Sequence, residues 1–178
     1  MDVTLRLAGP NDVPALETLI YESVSGLSER FYSPAQISGA LANIFGVDTQ
    51  LISDGTYYIA ELDGQLAGSG GWSKRMTLFG GDQTKSAAPD RLLDPRTEAA
   101  RIRAFYVRPQ SARRGVATAI LQACESAARD AGFTRIELVA TLPGEPLYLA
   151  RGYAKVEAMQ LAIPDGEPLP AFRMIKIL

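Results

Sequence analysis

The chain has 178 residues, of which 47% are hydrophobic and 21% charged, a composition typical of one globular domain with a sizeable core. Its net charge of −2 gives no general attraction to nucleic acid or to an anionic membrane. There is no histidine and a single cysteine, Cys124, which excludes Ser-His-Asp and Cys-His catalysis, histidine-bearing zinc sites and an intramolecular disulfide. The stretch from Met1 to Thr4 lacks the pattern of a signal peptide, and no apolar run approaches the ~20 residues that span a bilayer. We therefore expect one domain over residues 1–178, in a reducing cytoplasm and without a metal.

The first part of the chain predicts a strand, two helices and a hairpin. Ser33 is a good helix cap, with Pro34 at the first helical position and Gln36 three residues after the cap. Asp63 and Gly64 stand between two β-rich runs, which is a strong hairpin signal. The predicted elements are a strand over residues 3–8, a helix containing Val13 to Ile20, a helix from Ser33, and strands over residues 56–62 and 65–73.

The second part begins with a long irregular stretch from Lys74 to Glu98, which predicts a functional or a disordered loop. The elements predicted after it are a strand over residues 101–107, a helix over 114–131, a strand over 136–140, a short helix over 146–150, and strands over 153–163 and 171–178. This order indicates a mixed α/β fold. The apolar last strand is a candidate for pairing across a homodimer.

The most informative segment runs from Tyr106 to Leu121, where a strand enters a short turn that leads directly into a helix. The first amides of a helix lack partners within it and lie at the positive end of its dipole. Gly115 and Ala117 leave room for a diphosphate to approach those amides, and Arg113 and Arg114 add positive charge. The pattern predicts diphosphate binding without specifying which diphosphate, and a tight turn with no ligand is the alternative.

These residues resemble the GNAT superfamily of acetyl-CoA-dependent N-acyltransferases. The run from Phe105 to Pro109 matches its strand, and the run from Arg113 to Ala117 matches its diphosphate loop, with Ala112 where the family pattern has Gln or Arg. Leu147 to Tyr153 is similar to the aromatic segment that follows downstream. The resemblance covers nearly the whole chain. It implies an α+β fold in three layers, with a mixed, mostly antiparallel sheet of about seven strands and about four flanking helices.

The resemblance implies that acetyl-CoA binds along this strand and turn. The pantetheine arm would pair with the backbone of Val107, between the fourth and fifth strands, and an amide near Phe105 or Tyr106 would stabilise the oxyanion. Tyr148 would protonate the leaving thiolate; the alternative for it is a packed aromatic ring. The implied cofactor-binding residues are Phe105, Tyr106, Val107, Arg113, Arg114, Gly115, Val116, Ala117, Thr118 and Thr141.

The catalytic base is less clear from the sequence. Arg101 stands at the position where many family members have a glutamate that draws a proton from the amine through water, and arginine cannot act as a base. Glu98, just before the strand, is the first candidate, followed by Glu145 and Asp82. Each of them is alternatively a solvated surface acid, and a reaction without a protein base is the fourth possibility.

The acceptor side has three candidate features. Arg101 and Arg103 share one face of a strand, which suits either an acceptor that carries an acidic group or salt bridges within the protein. The Gly70 to Trp72 run either shapes an acceptor pocket or packs in the core. The segment from Lys74 to Glu98 is expected to be a mobile wall of the acceptor site.

The leading hypothesis is an N-acetyltransferase that transfers an acetyl group to the primary amine of a small molecule by direct attack. A non-catalytic acyl-CoA-binding sensor on the same fold is the alternative. A third hypothesis is a nucleotide-binding module, for which the run from Gly80 to Lys85 offers only a superficial likeness to a phosphate loop.

Overall fold

A computed structural model describes residues 2–178; Met1, part of the segment considered above for a leader peptide, lies outside them. One seven-stranded sheet has the order β1-β2-β3-β4-β5-β7-β6. Its strands are β1 (Val3–Leu7), β2 (Tyr57–Leu62), β3 (Gln65–Ser73), β4 (Ala100–Val107), β5 (Arg135–Thr141), β6 (Ala154–Leu161) and β7 (Leu169–Ile177). The helices are α1 (Val13–Ser28), α2 (Pro34–Asn43), α3 (Thr49–Ser53), α4 (Val116–Asp130) and α5 (Glu145–Ala150).

The sheet is mixed and mostly antiparallel, as predicted, because β4 and β5 form its parallel pair while the other neighbouring strands run antiparallel. Helix α4 covers one face of the sheet, and α1, α2 and α3 cover the other. The three-layer architecture is therefore confirmed. Five α-helices are described where about four were expected. The extra one, α3, has five residues, too few to show helical periodicity, and is capped by the Asp48 side chain, which accepts from the Gln50 amide.

Glycines in β3 let the helices approach the sheet closely. A Cβ atom on Gly70 would lie 2.5 Å from the Phe105 ring and 2.8 Å from Ile120 of α4. Trp72, two residues later, is buried and packs edge-on against Phe133 with ring centroids 6.2 Å apart. The run from Gly70 to Trp72 therefore serves core packing, and its alternative role in an acceptor pocket is not supported.

The last strand is interior. β7 pairs with β5 along one edge and with β6 along the other, so it has no free edge for pairing across a dimer. The expectation that this strand could join a second copy is wrong. The open edges of the sheet belong to β1 and β6.

The long segment between β3 and β4 is tied to the domain at several points. Arg75 forms an isolated bridge with Leu92 and binds Asp54 through Nε at 2.7 Å. Phe79 packs against the apolar cluster that α2 forms with β6 and β7. Because backbone, charged and apolar contacts all hold this segment, they favour a fixed wall and do not support the mobility that the sequence suggested.

A further anchor of this segment comes from Arg103 of β4. Its Nη2 atom donates to the Gly80 carbonyl at 3.0 Å and lies 2.6 Å from the Asp48 carboxylate, and both charged side chains are fully buried. Lys85 also pairs with Asp48. A buried ion pair contributes little net stability, but removing one partner leaves an uncompensated charge, which is costly.

We expect Asp48→Asn to lower the free energy of unfolding by about 3 kcal/mol, because it leaves Arg103 buried without its main counter-charge. Asparagine keeps the side-chain oxygen that caps α3, so the variant removes the negative charge and leaves the helix cap in place. Chemical denaturation followed by circular dichroism measures the loss.

Asp94→Asn is the matched control. Asp94 pairs with Arg96 on the surface, where the arginine side chain is 86% exposed, so this variant should unfold at nearly the wild-type denaturant concentration. Equal stability of the Asp48 and Asp94 variants would contradict the role given to the buried pair.

Candidate active site

A gap opens in the middle of the sheet between β4 and β5. The two strands pair only at Ala100 with Ile136 and at Arg101 with Glu137, although β4 runs on to Val107. Over the same length β4 stays paired with β3, as far as Val107 opposite Gly68. β5 in turn stays paired with β7 from Arg135 to Thr141, so the two halves of the sheet separate between β4 and β5. We call the space between the two diverging strands the slot.

Side-chain exposure marks both walls of the slot. Residues 104–107 are all partly exposed, although β4 is a central strand, and so are Val139 and Thr141 of β5. Ala104 has φ 52°, and the register with β3 shifts between Ser69 and Gly71, so β4 contains a bulge at the level where the slot opens.

The hydrogen bonds of β4 show which backbone groups face the slot. The Arg108 amide donates to the Ala67 carbonyl at 2.9 Å, one residue beyond the paired Val107 and Gly68. In an antiparallel ladder this makes Val107 and Gly68 a non-hydrogen-bonded pair, whose amides and carbonyls point away from each other. The N–H and C=O of Val107 therefore point towards the slot.

The turn from β4 into α4 forms a cradle at one end of the slot. Arg113 and Gly115 have φ 64° and 85°, and a Cβ atom on Gly115 would meet no protein atom within 4 Å. The helical bonding of α4 begins with the Ala119 amide donating to the Gly115 carbonyl, so the amides of residues 116–118 precede it. The exposed Arg113 and Arg114 flank this open face. A further group that the sequence did not predict, Arg151, donates to Thr118 Oγ1 at 3.1 Å.

Tyr148 of α5 borders the slot. α5 holds its ring against Phe105 of β4, with centroids 6.0 Å apart, and against Tyr153 at 5.6 Å. The tyrosine is buried, and burial raises the pKa of its hydroxyl above the ordinary value. A Cβ atom on Gly144 would lie 3.4 Å from the Tyr148 ring and 3.5 Å from Thr141 Oγ1, so the structure brings Thr141, Tyr148 and Phe105 together.

The model of the acetyltransferase (GNAT) family matches residues 24–153, well over half of the chain. The chain belongs to the GNAT acetyltransferase family. No curated protein sequence matches it.

Solved GNAT structures share its fold. A GCN5-related N-acetyltransferase from Rhodopseudomonas palustris superimposes with a TM-score of 0.71 at 22% identity, over 100% of this chain and 97% of the other. The PaiA N-acetyltransferase from Thermoplasma acidophilum, in complex with coenzyme A, superimposes with a TM-score of 0.69 at 15% identity, over 100% of both chains. A ribosomal-protein-alanine N-acetyltransferase from Brucella melitensis has a TM-score of 0.63 at 17% identity, over 98% of this chain and 99% of that one.

Glu98, the first candidate for the base of this GNAT enzyme, is not brought to the slot. It precedes the closed, paired end of β4, and the strand from Ala100 to Val107 spans on the order of 20 Å. Arg91 binds both oxygens of its carboxylate, at 2.7 and 2.9 Å, and lowers its pKa to about 2. A carboxylate with so low a pKa is a weak base, so neither position nor acidity favours Glu98.

The other two carboxylate candidates are also engaged elsewhere. Glu145 pairs with Lys155. Asp82 accepts from the Thr49 amide at 3.0 Å and from Lys85 at 2.9 Å. The Gly80 to Lys85 run thus anchors a loop to α3. Its only helical part is the three-residue 3-10 turn Asp82–Thr84, too short to bind a phosphate as the first turn of an α-helix does, which removes the feature that suggested a nucleotide-binding module.

Both arginines of β4 form salt bridges within the protein. Arg103 is fully buried with Asp48, and Arg101 pairs with Glu137 of β5, which also accepts from Arg173 at 2.9 Å. Burial lowers the pKa of Arg101. The sequence missed Glu137 because its contact with Arg101 depends on the parallel register of two strands that are far apart in the chain.

Within residues 2–178, no cluster of cysteine, aspartate and glutamate side chains is arranged to hold a metal ion. None of the helices in that range combines the length and apolar character that crossing a bilayer requires.

We expect Gly115→Val to weaken the binding of coenzyme A about tenfold or more, because the side chain would project into the open face of the cradle and cost at least one charge-assisted hydrogen bond. Isothermal titration calorimetry measures the change.

Gly55→Val is the matched control for backbone strain. Gly55 also has a left-handed φ of 68°, and a Cβ atom placed on it would likewise meet open space, but it lies in the turn before β2. If both variants bound coenzyme A alike, the cradle would not be the diphosphate site.

Proposed function

We propose that the chain is an N-acetyltransferase that moves an acetyl group from acetyl-CoA to the primary amine of a small molecule. One observation carries this proposal: an open, positively charged helix N-terminus follows β4, and a buried, protonated Tyr148 packs on Phe105 of the same strand. A long acyl donor with a charged diphosphate and a reactive thioester fits that arrangement.

The residues present suit coenzyme A along its whole length. Amides of residues 116–118, with Arg113 and Arg114, would hold the diphosphate. The backbone of Val107 would pair with the pantetheine arm as with a neighbouring strand. Thr141, on the opposite wall, offers a hydroxyl to the same arm.

The reaction we propose is direct. The amine nitrogen attacks the thioester carbonyl, a C–N bond forms, and the carbonyl oxygen takes the negative charge. Because Tyr106 turns its backbone groups to β3, Phe105 is the nearest residue on the slot side whose amide could stabilise that charge. The cationic nitrogen of the tetrahedral intermediate gives a proton to water. As the C–S bond breaks, Tyr148 donates its proton to the leaving sulfur, and the tyrosine then regains a proton from water.

No carboxylate of the slot is assigned as the base. Glu98, Glu145 and Asp82 are each paired with a cation. We therefore propose that the amine arrives neutral or gives its proton to water. The paired state of Arg101 and Arg103 likewise lends no support to an acidic group on the acceptor.

The packing of α2 against the connection between β6 and β7 supports a small amine as the acceptor. α2 is fastened to the connection between β6 and β7, with Gln36 donating to the Pro168 carbonyl at 2.9 Å. Tyr32, just before α2, donates to the Pro170 carbonyl at 2.7 Å. A Cβ atom on Gly39 would lie 2.6 Å from Ile163, so helix and connection are in direct contact. This leaves little room for an extended peptide.

Thiol release from acetyl-CoA, followed with a panel of small primary amines and with unfolded peptides, tests the proposal. Turnover with amines but not with peptides is expected. Tight binding of coenzyme A without turnover on any amine would favour the sensor hypothesis, for which Arg101 at the base position is the supporting observation.

A cytoplasmic location and a homodimer remain proposals, to be tested by fractionation and light scattering.

We expect Tyr148→Phe to lower kcat about 10²- to 10⁴-fold with little change in the affinity for coenzyme A, because the ring packing stays and only the acid is lost.

Since burial raises the pKa of Tyr148 above ~10, the hydroxyl stays protonated as the pH rises, and wild-type kcat should show no alkaline loss from this group below pH ~10.

Tyr153→Phe serves as the control, because it removes a hydroxyl from the neighbouring ring, where it donates to Glu125 at 3.0 Å. A less than threefold fall in kcat for the Tyr148 variant, or equal falls for both variants, would remove Tyr148 as the acid.

We expect Phe79→Ala to raise KM for the amine about tenfold and to leave KM for acetyl-CoA nearly unchanged. Phe79 packs on the same apolar cluster as Val139 and Leu142, on the β5 side of the slot. Leu92→Ala, in the same segment but with the side chain 55% exposed, should change neither constant. Equal effects of Phe79→Ala on both constants would show that the segment is not a wall of the acceptor site.

A further inference from the structure

A serine from α1 reaches a β4 amide that has no partner across the slot. The Val107 N–H donates to Ser23 Oγ at 3.1 Å. Ser23 is 6% exposed and lies on the apolar stripe of α1, between Ile20 and Val24, where a core side chain would be expected.

The amide needs this partner because of where it points. The N–H of Val107 faces the slot, and β5 has already left β4 six residues earlier, at Arg101. A buried amide without an acceptor costs about 1–3 kcal/mol. The serine hydroxyl therefore supplies the hydrogen bond that a neighbouring strand would make in a continuous sheet.

We propose that Ser23 and the pantetheine arm of the acyl donor compete for the Val107 amide hydrogen. This inference rests on the proposed function, in which the arm pairs with the same backbone. One N–H makes one good hydrogen bond, so donor binding must exchange the serine oxygen for an oxygen of the arm. Ser23 thereby sets the affinity for the donor without contacting the reacting atoms.

The exchange requires only a rotation of the serine side chain. α1 is held against the end of β4 by two other contacts, an ion pair of Glu22 with Arg108 at 2.9 Å and the close approach of Gly26 to Pro109. Because these remain when the hydroxyl turns, the helix keeps its place. The competition is therefore local to one hydroxyl and one amide.

Removing the competitor should tighten donor binding. In Ser23→Ala, the Val107 amide has no acceptor in the free protein and gains one only when the arm binds. The full free energy of that hydrogen bond then stabilises the donor complex relative to the free protein. We expect Kd for coenzyme A to fall about three- to tenfold, the range that one net hydrogen bond covers. Ser23→Cys, whose sulfur is a weak acceptor, should give a smaller fall in the same direction.

Isothermal titration calorimetry with two ligands tests this. Coenzyme A has the pantetheine arm, and adenosine 3′,5′-bisphosphate lacks it, so Ser23→Ala should tighten the first and leave the second unchanged. Ser25→Ala, a serine of the same helix that is only partly buried, is the matched control and should change neither Kd.

The outcomes separate this inference from the proposed function. Wild-type protein that binds coenzyme A, with unchanged or weaker binding in Ser23→Ala, would overturn the competition while leaving the donor site in place. Equal tightening for both ligands would also overturn it, since the effect would not depend on the arm. Failure of the wild type to bind coenzyme A would overturn the proposed function and this inference together.

Discussion

The departure of β5 from β4 after two residue pairs is the constraint on which the rest of the structure depends. A strand pair that ends early exposes a row of backbone groups in the middle of the domain, where unpaired polar groups are costly. At Val107 the fold meets this cost with the hydroxyl of Ser23. The same backbone groups give the protein a surface that an extended ligand can pair with.

The absence of histidine from the sequence shifts the proposed chemistry to a tyrosine. Tyr148 is suited to giving a proton because burial disfavours its anion. It is much less suited to accepting one, and the proposed function assigns no carboxylate to that role. The two arginines of β4 are each paired with a carboxylate, Arg103 with Asp48 and Arg101 with Glu137.

Local sequence patterns predicted most of the helices and strands and the turn that begins α4, while the family resemblance implied the fold. The cap at Ser33, the hairpin at Asp63 and the turn at Gly115 are each set by a few adjacent residues, and all are found in the structure. The charged pairs that the sequence did not predict join residues far apart in the chain, which strand pairing and helix packing bring together. Glu137 meets Arg101 through strand register. Asp48 meets Arg103 through a helix too short to predict.

Ser23 is a different case, because the sequence did contain a signal for it. A serine on the buried stripe of α1 is a polar group at a core position, and such a group requires a partner. The stripe alone did not say which amide it would meet. That depends on the end of β4, which lies 84 residues further along the chain.

The anchoring of the proposed acceptor wall has a consequence for how this enzyme can diversify. Arg103 holds the segment through the carbonyl of Gly80, a group that every residue type possesses, and through Asp48, which lies outside the segment. Arg75 and Lys85 also hold it through their side chains. On the proposed function, substitutions at the remaining positions of the wall can reshape the amine pocket while the donor-binding strand and its cradle stay intact, so that new acceptors become accessible without rebuilding the catalytic framework.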